Sequence, residues 1–191
     1  MSVAFEALEL ASTPLRLIAG IDSSCWSAVM TSLEKHWSDP RLRKPYLVTV
    51  VDFTRPAKER RLWLLNLFLQ APLVHSFVAH GKNSGAPGGP ATKFSNTPGT
   101  HMSCVGGFAT CPETYKSSLG GVSGLGLKVH GLDAGTNHKA KSRGIVFHGA
   151  KYVTNTGAGR SHGCFSTMPS INEMLLPLIA GGSFVFAFGG K

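Results

Sequence analysis

The chain has 191 residues, of which 42% are hydrophobic and 15% charged, and its formal net charge is +9 at neutral pH. That balance excludes a disordered polyelectrolyte and is enough to bury one sizeable core, and no apolar run reaches the length of a membrane span. The excess of Lys and Arg suits phosphates and carboxylate-rich polymers equally, but zinc-finger spacing, an RNP-like aromatic motif and a long basic block are all missing, so a nucleic-acid module is not indicated. Met1-Ser2 is not followed by the basic patch and apolar stretch of a secretory leader, so the chain reads either as cytoplasmic or as a mature form.

The first 45 residues read as helical. Phe5 and Leu8 with Ala4, Ala7 and Ala11 suit a short helix before Pro14, and Cys25, Trp26, Val29, Met30 and Leu33 recur at helical spacing in a second helix ending near His36. After Pro45 the character changes to β. Residues 46–53, 62–69 and 73–79 are rich in apolar and branched side chains and are separated by turn material such as Gln70-Ala71-Pro72. Residues 81–99, dense in Gly, Pro, Ser and Asn, read as a long loop, of the kind that often carries function, or else as a plain excursion.

Further strands are expected at 101–105, 107–111, 125–130, 145–148 and 183–188. Cys104 and Cys111 then lie in neighbouring strands, as a hairpin disulfide or as two buried thiols, while Cys25 belongs to a helix face. One helix is expected after residue 168: Ser170 and Glu173 have capping-box spacing, and Ile171, Met174, Leu175, Leu178 and Ile179 form an apolar face that Pro177 interrupts. The pattern predicts a mainly β (α+β) fold built on a partly closed mixed sheet.

The most chemically informative segment is Gly159-Arg160-Ser161-His162-Gly163-Cys164, preceded by His148-Gly149 at the end of the strand-like Ile145-Val146-Phe147. A thiol is nucleophilic as its thiolate, and a free cysteine with a pKa of about 8.5 needs a base at neutral pH. His148, held at a strand end, is the better base; His162, two residues before Cys164, lies on the same side if the stretch is extended. The N–H groups of Gly163 and Cys164 are the expected oxyanion donors. The alternatives are an inert core thiol with a structural histidine, and a zinc site of His148, His162 and Cys164 whose spacing matches no compact Cys/His pattern.

This segment resembles the signature of the L,D-transpeptidases of bacterial peptidoglycan (the YkuD type), in which His-Gly precedes Ser-His-Gly-Cys by a dozen or so residues. More of the chain is similar to one branch, the murein L,D-transpeptidase catalytic domain family: Val50-Val51-Asp52-Phe53, Arg60-Arg61-Leu62-Trp63, Val78-Ala79-His80-Gly81, Asn83-Ser84-Gly85, and Phe94 to Gly99. It continues through Gly131-Leu132, Asn137, Arg143 to Ala150, Tyr152-Val153 and Gly159-Arg160-Ser161, so the likeness runs from about residue 46 to the C-terminus. It implies a catalytic domain over residues 46–191, with residues 1–45 as a helical extension packed upon it.

By this resemblance Cys164 is the nucleophile, His148 its base, and a backbone carbonyl at Gly149 the group that orients the imidazole. No acidic third member is implied, in keeping with the absence of Asp or Glu between Asp133 and Glu173. Arg143 and Arg160 are candidate carboxylate ligands or structural donors, Ser161 belongs to the matched motif, and His80 and Tyr152 divide between pocket lining and core. The branch usually follows the cysteine with Pro-Ala, whereas this chain has Phe165-Ser166. The implied reaction is attack of Cys164 on the diaminopimelate carbonyl of a tetrapeptide stem, loss of D-alanine, and transfer of the thioester to an amine, giving a 3-3 cross-link, or to water in an L,D-carboxypeptidase. Acylation by carbapenems, a periplasmic or wall-associated location, peptidoglycan stem peptides as partners, and no metal or organic cofactor are implied with it. The competing class is a non-catalytic basic module that binds the wall.

Overall fold

Strands with two apolar faces must be covered on both sides, and the central strands of this protein are of that kind. The computed structural model describes residues 3–190, the side chains of residues 3, 4 and 6–11 excepted. Helices α1 (Val3–Ala19) and α2 (Ser23–His36) precede strands β1 (Lys44–Asp52), β2 (Leu62–Asn66), β3 (Ala71–Ser76) and β4 (His80–Gly81). A long connection leads to β5 (Gly106–Ser117), a 3-10 turn (Leu119–Gly121), β6 (Gly124–Gly131) and β7 (Val146–Gly149). Three two-residue strands, β8 (Val153–Thr154), β9 (Gly157–Ala158) and β10 (Arg160–Ser161), come before β11 (Phe165–Thr167), α3 (Pro169–Ile179) and β12 (Ser183–Phe188).

Eight strands form one mixed sheet in the order β11-β7-β6-β5-β12-β1-β2-β3. The β1/β12 and β7/β11 pairs are parallel and the other neighbours antiparallel. The fold is thus mainly β with a mixed sheet and few helices, as the sequence pattern predicts. Side-chain alternation sorts the residues into two cores. Val48, Val50, Trp63, Leu65, Phe184 and Phe186 face α1 and α2, whereas Val51, Leu62, Leu64, Val185 and Ala187 face the other way, toward Leu175, Leu176 and Ile179 of α3.

Several boundaries differ from the sequence expectation, each for a local reason. Helix α1 runs through Pro14 instead of stopping before it. One missing backbone hydrogen bond is outweighed by burial of Leu15 against α2, and the helix ends where Gly20 adopts φ +68° with Gly20 N and Ile21 N bonded back to Leu17 O and Arg16 O. The face expected from Ala4, Ala7, Leu8 and Ala11 lies outside the described side chains. Residues 101–105 form no strand, because their polar groups serve the preceding loop: Gly81 N donates to Ser103 Oγ, Ser103 N to Ser84 Oγ, and Asn83 N to His101 O. Helix α3 has no capping box. Its N-cap is Met168, Pro169 begins the helix, and Glu173 instead accepts Leu125 N at 3.0 Å. The buried face of α3 is Asn172, Leu175, Leu176 and Ile179; Met174 and Leu178 are exposed, contrary to expectation.

One buried cation ties the sheet to the segment below the site. Arg61 is fully buried, and its Nε and Nη2 both donate to Val78 O (3.1 and 2.9 Å), its Nη1 to Arg55 O (2.7 Å), and Nη2 to His80 Nδ1 (2.9 Å). The guanidinium also lies 5.3 Å from the Phe53 ring centre. Burial pulls its pKa down to about 10, against the field of Asp52. Next to Val78, Ala79 N donates to Ser166 O at 2.9 Å, so the Arg61 anchor is passed on to β11. Arg61→Lys retains a charge but lacks the fork that satisfies both carbonyls, and leaving such acceptors unmet costs ~2–4 kcal/mol. A urea titration is expected to show a lower midpoint at unchanged slope; an unshifted midpoint would remove Arg61 from this role.

Candidate active site

Parallel pairing of β7 with β11 builds the site. Phe147 lies opposite Phe165 and His148 opposite Ser166. The two phenylalanine rings stack with centres 4.8 Å apart inside the core, so their neighbours His148 and Ser166 turn to the opposite face. There a cleft of about 300 Å³ is lined by Leu119, Gly120, His148, Tyr152, Arg160, Ser161, His162 and Cys164. A larger groove of about 590 Å³ lies between α2 and β12, shares no lining residue with this cleft and is lined mainly by Ser, Thr, Ala and Phe.

Hydrogen bonding fixes the tautomer of His148. Its Nδ1 lies 2.8 Å from Gly149 O, and a carbonyl can only accept, so Nδ1 carries the proton. Burial pushes the imidazole pKa below its ordinary 6.5, the Gly149 bond opposing, so the ring is neutral at pH 7 and Nε2 is an acceptor. Ser166 Oγ stands 2.9 Å from Nε2 and therefore donates to it. With its one proton spent, Ser166 Oγ accepts from Tyr152 Oη, also at 2.9 Å. Cys164 is partly exposed, and its Sγ donates to Gly144 O at 3.5 Å. No hydrogen bond joins this sulfur to His148. Burial raises the thiol pKa above its ordinary value, against the Val146 N–H and the charge of Arg143.

The turn that carries the thiol is held from within. Ser161 Oγ donates to Cys164 O (2.8 Å) and accepts Gly163 N (3.0 Å), so the Gly163 N–H expected to face an oxyanion is already engaged. Gly163 has φ +119°, and a Cβ there would lie 2.7 Å from Met102 O, which restricts the position to glycine. His162 is exposed at the rim, its ring centre 4.4 Å from that of His101. Arg160 is exposed too, with Nη1 on Lys82 O at 3.0 Å, and it is one of the residues lining the cleft.

Arg143 and His80 do not line this cleft. Arg143 donates to Ser95 O, to Met102 O (2.7 Å) and to Thr100 Oγ1 (3.5 Å), clamping the long loop whose Met102 backs Gly163. His80 is fully buried on Arg61, and burial with that guanidinium holds its pKa down to about 4. Both readings as pocket ligands give way to structural ones. Residues 81–99 form no free excursion, since Asn96 bonds His138, Gly135 O and Lys139 N. Sequence reasoning noted Ser166 only as a departure from the family pattern and missed Leu119 and Gly120. The strand period, two residues on from Cys164 and opposite His148, is the signal that points to Ser166.

All four cysteines are free thiols, and Cys25, Cys104 and Cys111 are buried. Burial raises the pKa of Cys104 to about 11 and pushes those of Cys25 and Cys111 up as well. Iodoacetamide is therefore expected to label Cys164 first, on the order of tenfold faster than the others, with a rate that climbs as pH rises toward the raised thiol pKa. Peptide mapping by mass spectrometry reads both features, and equal labelling of the four would contradict this account.

The L,D-transpeptidase catalytic domain family matches the chain over residues 18–188, from the end of α1 to the end of β12. Among solved structures, a variant of the helical cell shape determining protein Pgp2 from Campylobacter jejuni superposes with a TM-score of 0.52 at 12% identity, over 84% of this chain and 54% of that one. An L,D-transpeptidase from Mycobacterium smegmatis gives 0.45 at 14% identity, over 74% of this chain and 58% of the other. The L,D-transpeptidase (Yku) from Stackebrandtia nassauensis gives 0.45 at 17%, over 93% and 76%. The chain thus spans little more than half the length of the first two. Such identities bear on the fold alone, and no curated protein matches the sequence. The match over residues 18–188 makes this chain a member of the L,D-transpeptidase catalytic domain family.

Proposed function

We propose that this protein is a peptidoglycan L,D-transpeptidase that works outside the cytoplasmic membrane, with Cys164 as nucleophile and His148 as base. The observation that carries the reading is the meeting, in one cleft, of a partly exposed thiol and a neutral imidazole whose Nδ1 proton is fixed on Gly149 O. An imidazole held in that tautomer keeps Nε2 as its basic nitrogen and has no need of a carboxylate partner.

The Cys164 sulfur, having passed its proton to His148 to leave a thiolate and an imidazolium, attacks the diaminopimelate carbonyl at its bond to the terminal D-alanine. The C–N bond breaks, the amine of D-alanine leaves with a proton from the imidazolium, and a thioester remains. An amine of a second stem then attacks, its proton passes to the imidazole, and the C–S bond breaks to restore the sulfur. Because Gly163 N–H is bonded to Ser161, the Cys164 N–H is the donor assigned to the oxyanion. Arg160, exposed at the rim, offers its free donors to a stem-peptide carboxylate, and His162 flanks the sulfur. Among the described residues no helix is long and apolar enough to cross a membrane, and no three His, Cys, Asp or Glu side chains are placed to hold a metal.

Turnover is expected to fall as the pH drops through the His148 pKa, below 6.5, because the protonated ring is no longer a base. The deciding test is product analysis with a disaccharide tetrapeptide containing diaminopimelate. Wild type is expected to give cross-linked dimer and free D-alanine, Cys164→Ala neither, and His148→Ala a rate lower by about a hundredfold or more. Tripeptide and D-alanine without dimer would replace this reading with an L,D-carboxypeptidase. No product and no thioester on Cys164 would favour a wall-binding module.

A further inference from the structure

The imidazole nitrogen that has to accept protons is not open to the cleft. His148 Nε2 is covered by the Ser166 hydroxyl at 2.9 Å, and Ser166 is covered in turn by Tyr152 Oη at 2.9 Å. Ser166 is itself fully buried, whereas Tyr152 is partly exposed and lines the cleft. The direction of every bond follows from one fact, that Gly149 O can only accept. His148 Nδ1 donates to it, Ser166 donates to Nε2, and Tyr152 donates to Ser166. The phenol oxygen thereby keeps its lone pairs for the cleft, as the outermost acceptor of a chain that ends on the base.

We propose that Tyr152 and Ser166 form a proton wire between the cleft and His148, Tyr152 as the catalytic residue that meets the reacting amine and Ser166 as the residue that positions and relays. This deepens the transpeptidase reading and rests on it. In the second half-reaction the amine nitrogen bonds to the thioester carbonyl and releases a proton to Tyr152 Oη. The Tyr152 proton moves to Ser166 Oγ, and the Ser166 proton to His148 Nε2. The C–S bond then breaks and its electron pair returns to Cys164 as thiolate, opposite an imidazolium. In the next acylation the same three protons step back, the last onto the departing amine of D-alanine, and the imidazole becomes neutral again. No proton is lost or created over the cycle. The wire requires an oxygen at position 166 that faces His148, which the in-register pairing of β7 and β11 supplies. It is here that the chain carries serine where the resembling branch usually has alanine.

The experiment compares two acyl donors on the full chain. With the diaminopimelate tetrapeptide the leaving group is an amine that needs a proton; with a p-nitrophenyl ester it is a phenolate that needs none. Ser166→Ala and Tyr152→Phe are each expected to slow turnover of the tetrapeptide at least tenfold more than they slow the ester burst on Cys164. The double variant is expected to be no slower than the worse single one, because a wire cut once is already cut. Ser166→Thr, which keeps the hydroxyl, is expected to restore the tetrapeptide rate to within about threefold of wild type. Equal loss with both donors, multiplicative loss in the double variant, or failure of threonine to rescue would overturn the wire and leave a packing role. Failure of wild type itself to acylate Cys164 with either donor would instead overturn the transpeptidase reading.

Discussion

The site depends on a single registration, the parallel pairing that sets Phe147 against Phe165 and His148 against Ser166. A strand alternates its faces residue by residue, so a slip of one position would bury the imidazole in the core and push a phenyl ring into the cleft. The register is enforced by the core, where the Phe165 ring stacks on both Phe147 and Phe53 and meets Phe108 edge-on. Aromatic packing on one face therefore sets hydrogen-bond geometry on the other. The thiol needs only a short turn before β11 to join them, and Ser161 and Gly163 shape that turn.

Around this pair the protein spends its buried polar groups on the main chain. Arg61 holds Val78 and Arg55, Arg143 holds Ser95 and Met102, and Asn137 donates to Val105 O and Gly107 O. Each ties down a connection through its main-chain carbonyls. A loop of the length and composition of residues 81–105 has few apolar anchors of its own, so ordering it relies on side chains that reach in from the sheet side. The cation that backs the Gly163 turn and the cation that backs Ser166 are thus both scaffolding. Among the cleft-lining residues the arginine is Arg160.

Much of this was legible in the residues. The strands β1, β2, β6, β7 and β12 follow their apolar runs because burial on two faces leaves little freedom in where a strand can begin, and the spacing of His148 and Cys164 marked the two ends of the site. What escaped was whatever depends on partners distant in sequence. Pro14 does not stop α1, because Leu15 has a core to enter; residues 101–105 have strand-like composition, yet Ser84 and Gly81 claim their hydrogen bonds first. Glu173 has the spacing of a capping residue and is taken by Leu125. Ser166 looked like an irregularity beside the cysteine, since its meaning lies in the opposite strand.

The partners of Arg61 carry one more consequence, for how the family's sequences are free to diverge. Two of its three acceptors are main-chain carbonyls, at Arg55 and Val78, which every amino acid possesses. Side chains at those two positions can drift without loosening the brace, while Arg61 itself cannot. An aligned set of relatives would then display an isolated, unvarying arginine with no co-varying acidic column, a pattern easily mistaken for a substrate ligand when it is the mark of a cation anchored to backbone.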